Sequence, residues 1–185
     1  MRLAEPPIEV ENPSLVEMPV AEVPEELPVV TLAPRITATG GVAIPPQPYA
    51  PEPIVEVGTI EIPAISLAHK IYQGVTLNNI DKGPSHWTGT ALPGEPGNAV
   101  FAGHRVTRTR PFRNLDALKG GDVVVFNFLG RRSVYQVKSS QVVEPTALWI
   151  ADQTPGYTAT LYACHPPGSA RQRFVVHLEM VAPPA

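Results

Sequence analysis

The sequence predicts an all-β domain closed, or nearly closed, into a barrel. Three observations carry this. From about Gly58 onward the chain divides into seven or more short segments of strand character. Turn signals rich in Gly, Pro, Asn and Asp separate them. Little of the chain has the periodicity of a helix.

Taken in order, "GTIEIPAI" alternates apolar and polar residues and reads as the first strand, with "LAHKIYQGV" as the second. "LNNIDKGP" is a short helical turn stopped by Gly83 and Pro84. "GNAVFAG" is a brief apolar strand between glycines. "PFRNLDALKGGD" spaces Phe112, Leu115 and Leu118 three apart, which predicts one amphipathic turn ended by Gly120 and Gly121. "DVVVFNFL" and "SVYQVKSSQVV" flank a hairpin-like join at Gly130–Arg131. "PTALWIAD" predicts a brief helix, and "YTATLYAC" and "RFVVHLEMV" the last two strands.

Residues 1–57 differ in composition. They hold twelve of the 23 prolines, and nine acids against two bases. Proline removes donors and fixes φ, so this arm is expected as an extended, partly polyproline II spacer. Residues 58–185 carry eight acids and twelve bases. That excess is too small and scattered to suggest nucleic-acid binding. One cysteine excludes an intramolecular disulfide. No apolar run has transmembrane length, and "MRLAEPPIEV" lacks the basic flank and apolar core of a secretory signal.

The reactive residues converge. Cys164 ends the penultimate strand, Arg173 begins the last, and "HPPGSARQ" joins them, so both are expected at one mouth of the barrel, with His104 also at a rim. The types suit acyl transfer: a thiolate attacks, a histidine pairs with it or carries protons, and an arginine stabilises the oxyanion. The plain alternative for Cys164 is packing, since free cysteine is among the most buried residue types. His165 adjoins Cys164, but neighbours on a strand face opposite ways. His177 and His69 read as solvated strand residues. A zinc site from Cys164 with His104, His165 or His86 has no C-x-x-C or H-x-x-x-H spacing behind it, so no metal is expected.

"GNAVFAGHR" followed by "PFRNLDALKGGD", then "TLYACHPPGSARQR" running into "FVVH", resembles the sortases, bacterial cysteine transpeptidases. "KGPSHWTGTALPGEPGNAVFAGHR" and the short Cys-to-Arg loop look most like class E sortases of actinobacteria. The resemblance covers roughly residues 58–181. It implies a closed eight-stranded sortase-type barrel with short helical turns, preceded by the Pro-rich arm. It also implies His104, Cys164 and Arg173 as the catalytic residues, with Arg171 the runner-up for the arginine. Ala163 stands where the family commonly has threonine, and Trp87 where class E members usually have tyrosine; Trp87, Ala163 and Arg171 are the expected substrate contacts.

By that resemblance Cys164 attacks the Thr–Gly carbonyl of a Leu-Pro-x-Thr-Gly or Leu-Ala-x-Thr-Gly sorting signal, and an amine from a cell-wall precursor or a pilin lysine resolves the thioester. No cofactor is implied. The resemblance also implies a membrane tether upstream of this chain and a place on the outer face of the cell membrane, with the arm as stalk or lid. The rival from another class is a non-catalytic β-barrel module that binds peptides or glycans around a buried cysteine; a second enzyme rival is an L,D-transpeptidase, also a cysteine cell-wall enzyme, whose S-H-G-C signature is absent.

Overall fold

The computed structural model describes residues 51–181. The expected Pro-rich spacer therefore lies, up to residue 50, outside the described residues. Eight strands follow: β1 (Glu56–Ile62), β2 (Leu67–Gln73), β3 (Ser85–His86), β4 (Gly97–Ala102), β5 (Val123–Phe128), β6 (Arg131–Val143), β7 (Tyr157–His165) and β8 (Gln172–Met180). They close in the order β1-β2-β3-β4-β7-β8-β6-β5, with Ile60 of β1 opposite Phe126 of β5. Among the described strands, closure leaves no free sheet edge to template aggregation.

The local reasons are legible. Pro63 cannot donate to a ladder, so the strand expected to run to Ile65 stops at Ile62 and a 3-10 turn, Pro63–Ile65, replaces its end. Leu129 and Gly130 both adopt positive φ, 48° and 78°, which makes the tight β5–β6 turn between Phe128 and Arg131. Gly58 sits at a bulge in the β1–β2 pairing, and a Cβ there would lie 2.1 Å from the Asn127 carbonyl oxygen. The predicted helical turns appear as α1 (Leu77–Ile80) and as 3-10 turns at Leu115–Ala117 and Leu148–Ala151.

Alternation sorts the core. Ile60, Ile62, Ile71, Ala99, Phe101, Val124, Phe126, Leu161, Val176 and Leu178 fill the barrel. Phe101 stacks on Phe126 with ring centroids 4.8 Å apart, and the Tyr135 hydroxyl accepts from the Gly94 N–H at 2.9 Å. β4 is buried on both faces. Its outward residues Val100 and Ala102 are covered by Val75, Trp87 and Ala151, a second apolar cluster on the barrel wall. That cluster floors the cleft described below.

His177 departs from the expectation of a solvated ring. It does point away from the Val176–Leu178 face, but Trp149 lies against it, nearly parallel at 6.5 Å, and the ring is half-buried. Burial lowers its pKa from the ordinary 6.5.

Candidate active site

β4 and β7 run parallel side by side, with Ala102 opposite Tyr162, and β8 runs antiparallel to β7 with Arg173 directly opposite Cys164. Residues opposite each other across a ladder share a face. Ala163 belongs to the barrel interior, so the pleat turns Tyr162, Cys164 and Arg173 outward. The site therefore lies at the strand ends and faces the outer wall of the barrel rather than its interior. His104, two residues beyond outward-facing Ala102, lines the same wall.

The cleft is about 250 Å³ in volume. Val75, Leu77, Ile80 and Trp87 line it, together with Pro145, Leu148 and Ile150 of the β6–β7 connection. Its reactive groups are His104, Cys164 and Arg173; Glu144 contributes a carboxylate. Such a trough suits an extended apolar peptide with a few fixed polar contacts.

Cys164 is a free thiol of intermediate exposure, not a sealed core residue. The Arg173 Nη1 donates to the carbonyls of Ala170 and Gln172 at 2.9 and 3.0 Å. Those bonds fix the guanidinium and leave Nε–H and both Nη2 protons without a hydrogen-bond partner among the described residues. The Tyr162 hydroxyl is held well above its usual pKa, first by burial and further by Cys164, against a lowering by Arg173. It stays protonated at neutral pH.

Asp81 was not anticipated as a site residue. It follows α1, whose single turn brings its carboxylate to His104: Oδ1 accepts from the ring Nε2 at 2.8 Å, and Oδ2 accepts from the Arg108 Nε at 3.1 Å. A carboxylate only accepts, so Nε2 carries a proton and Nδ1 is the nitrogen left for exchange.

Residues 60–181 match the sortase domain family model. This chain belongs to the sortase family. Among curated relatives it is 29% identical over 151 residues to sortase SrtE1 of Streptomyces coelicolor, covering 73% of this chain and 43% of that one. It is 26% identical to sortase D of Bacillus subtilis, covering 70% and 66%. The matches thus span roughly half the length of these curated sortases, from 43% to 66%. Among solved structures, sortase C-1 from Actinomyces oris superposes with a TM-score of 0.65 at 34% identity, covering 69% of this chain and 76% of that one. A lid mutant of sortase A from Corynebacterium diphtheriae gives 0.66 at 27% identity, covering 71% and 73%.

Of the residues expected in the sortase site, the fold brings His104, Cys164, Arg173 and Trp87 to the cleft, where Trp87 is buried with its ring 6.0 Å from that of Tyr162. Ala163 also borders the cleft, though its side chain packs inside the barrel. Arg171 is exposed in the β7–β8 loop and does not line the cleft. His165 turns inward and takes the Arg105 Nη1–H at Nδ1, 2.9 Å away. His86 is buried, its ring centroid 5.3 Å from those of both Phe101 and Phe128.

Proposed function

We propose that this sortase is a cysteine transpeptidase that cleaves a C-terminal sorting signal of the Leu-Pro-x-Thr-Gly or Leu-Ala-x-Thr-Gly type between Thr and Gly and joins the shortened protein to an amine. The observation that carries the reading is the register of β7 and β8, which sets Arg173 directly across from Cys164 on the cleft wall that His104 also lines. The relation to SrtE1 supports a class E assignment.

The chemistry runs in two halves. The Cys164 thiolate adds to the Thr–Gly carbonyl, and the oxygen gains negative charge. The uncommitted Arg173 donors meet that oxygen as the charge develops, which is where electrostatic stabilisation lowers a barrier most. Collapse breaks the C–N bond, and His104 gives a proton to the departing glycine amine. The thioester left on Cys164 then yields to an acceptor amine from a cell-wall precursor or a pilin lysine. Its C–S bond breaks, an amide bond forms, and the amine's proton returns to His104. Trp87 and the β6–β7 connection hold the residues before the scissile bond. The same reading places the enzyme at the outer face of the cell membrane, where such substrates and amines meet.

Intact-protein mass spectrometry tests it. Incubation with sorting peptides should build an acyl adduct on wild type, lost on adding a soluble amine, and no adduct on Cys164→Ala. Cleavage by Cys164→Ala would remove the proposed nucleophile.

A further inference from the structure

A second cavity, about 420 Å³, lies just beyond the ends of β4 and β7. Arg105, Arg110, Arg113, Asn114, Asp116 and Pro167 line it, so three guanidiniums face one carboxylate. The size is that of a small-ligand site. Its charge is not that of a solvated surface stripe. The Arg105 side chain is only 1% exposed and is fixed on three sides: Nη2 pairs with Asp116 at 2.5 Å, Nη1 donates to His165, and Nε donates to the Arg113 carbonyl at 3.4 Å. The Phe174 ring lies 5.7 Å from its guanidinium carbon.

Arg110 and Arg113 are different. Both are exposed, and among the described residues neither guanidinium has a hydrogen-bond or ion-pair partner. Their neighbour Arg108 is already committed to Asp81. The loop that carries them is held in an unfavourable form, with Arg108 at φ 54° and Arg110 at φ 48°. Left-handed backbone is disfavoured for a residue that carries a Cβ. The Arg110 N–H to Thr107 carbonyl bond and the Phe112 N–H to His104 carbonyl bond keep it there. One buried, oriented guanidinium and two uncommitted ones at the rim form a receptor for an oxyanion.

Its position links it to the reaction. β4 ends by sending His104 to the cleft and Arg105 to the cavity. β7 ends with Cys164 in the cleft, and its next residue, His165, bonds to Arg105. Cleft and cavity are thus one residue apart beyond β4, and His165 ties the end of β7 to the Arg105 that lines the cavity. The cleft walls are largely apolar and fit the peptide donor; the cavity is cationic and does not.

We propose that the arginine-lined cavity is the anchoring site of the amine acceptor and holds an anionic group, phosphate or carboxylate, borne by that acceptor. This rests on the transpeptidase reading above. With the anion seated, the amine reaches the thioester: its nitrogen bonds to the acyl carbon, the C–S bond breaks, and the displaced proton passes to His104 as the Cys164 thiolate is released.

Two measurements on the full chain test it. The first compares ethanolamine, O-phosphoethanolamine and β-alanine as acceptors with one sorting-peptide donor. The charged acceptors should be at least about tenfold better in kcat/KM for aminolysis, the scale of one charge-assisted hydrogen-bonded pair. The better of the two identifies phosphate or carboxylate. High salt should erase most of the advantage, as should the double variant Arg110→Gln/Arg113→Gln, while donor hydrolysis stays unchanged. The second measurement needs no activity: inorganic pyrophosphate is titrated by calorimetry into wild type and the double variant. Binding should be lost in the variant. If no donor peptide is cleaved, the transpeptidase reading fails while the titration still reports on the cavity. Absence of pyrophosphate binding, binding that survives the double substitution, or equal aminolysis by all three amines each overturns the proposal.

Discussion

Asp81 and His104 form a 2.8 Å pair in which the carboxylate holds the ring Nε2, and Arg108 caps the other carboxylate oxygen from solvent. The pair fixes which ring nitrogen can exchange protons in the cleft. Asp81→Asn keeps the size of the side chain but offers an amide that can present either face. The expected result is a fall in kcat of about tenfold or more, part of the 10²- to 10⁴-fold that general acid–base catalysis supplies, with KM for the sorting peptide little changed. Asp81→Glu should recover part of the loss. Steady-state kinetics on both variants checks this. An unchanged kcat in Asp81→Asn would reduce the pair to a surface ion pair of ordinary weakness.

Gly103 precedes His104 and lies against the ring of Phe112, which is fully buried. A Cβ at Gly103 would stand 2.5 to 2.9 Å from three atoms of that ring. Gly103→Ala must push Phe112 or the backbone aside, at about 1–3 kcal/mol for an overpacked core. The backbone movement would carry His104 with it, so activity should fall along with the urea midpoint. Phe112→Leu in the same chain makes room and should restore part of both. Equal urea midpoints for wild type and Gly103→Ala would mean the contact is soft.

Strand-forming runs and their turn signals were enough for the barrel, because alternation and glycine placement are local. The eighth strand was not legible: Ser85 and His86 are only two residues long and owe their pairing to β2 and β4, which are brought beside them by closure. Cys164, His104 and Arg173 could be named from their local contexts, but not the wall they share. That depends on the pleat counted from Ala163 inward. Asp81 carries no local signal. A polar residue after a four-residue helix looks like a cap or a turn, and only the β2–β3 connection brings it to His104. The arginine cavity was hidden for the same reason, since charge spread along residues 105–113 concentrates only when the loop bends through left-handed backbone.

His86 gives the barrel a pH dependence. Burial lowers its pKa from 6.5 to about 4, although the Ala91 carbonyl, 2.9 Å from Nε2, favours the charged form. Below pH 6.5 the unfolded chain takes up a proton that the folded ring refuses. Stability from this group is therefore complete above pH 6.5 and is lost as pH falls towards 4, levelling off below that. The full gap corresponds to about 3 kcal/mol. His177, lowered in the same direction by burial, adds to the loss. Urea unfolding should show a stability about 2–3 kcal/mol lower at pH 4.5 than at pH 7.5, and the His86 ring should remain neutral by NMR at pH 5.5. A ring already charged at that pH would rule out the assigned burial penalty.

Arg173 and Arg171 lie two residues apart, yet the fold treats them differently. Arg173 is set opposite Cys164 and anchored by two loop carbonyls, whereas Arg171 is exposed and away from the cleft. An arginine that meets an oxyanion acts only as charge develops, so its loss lowers turnover more than substrate binding. Arg173→Ala should reduce kcat by about 10²- to 10³-fold, the cost of removing one oxyanion donor in acyl transfer. Arg173→Lys should recover little. An ammonium cannot donate to the Ala170 and Gln172 carbonyls and still present a planar fork to the substrate. Arg171→Ala should change kcat well under tenfold, as for a weakly held surface charge. Kinetics with a single sorting peptide on the three variants separates the two positions. A large defect in Arg171→Ala beside a near-normal Arg173→Ala would move the oxyanion partner into the β7–β8 loop, and with it the reading of the β7–β8 register as the core of the site.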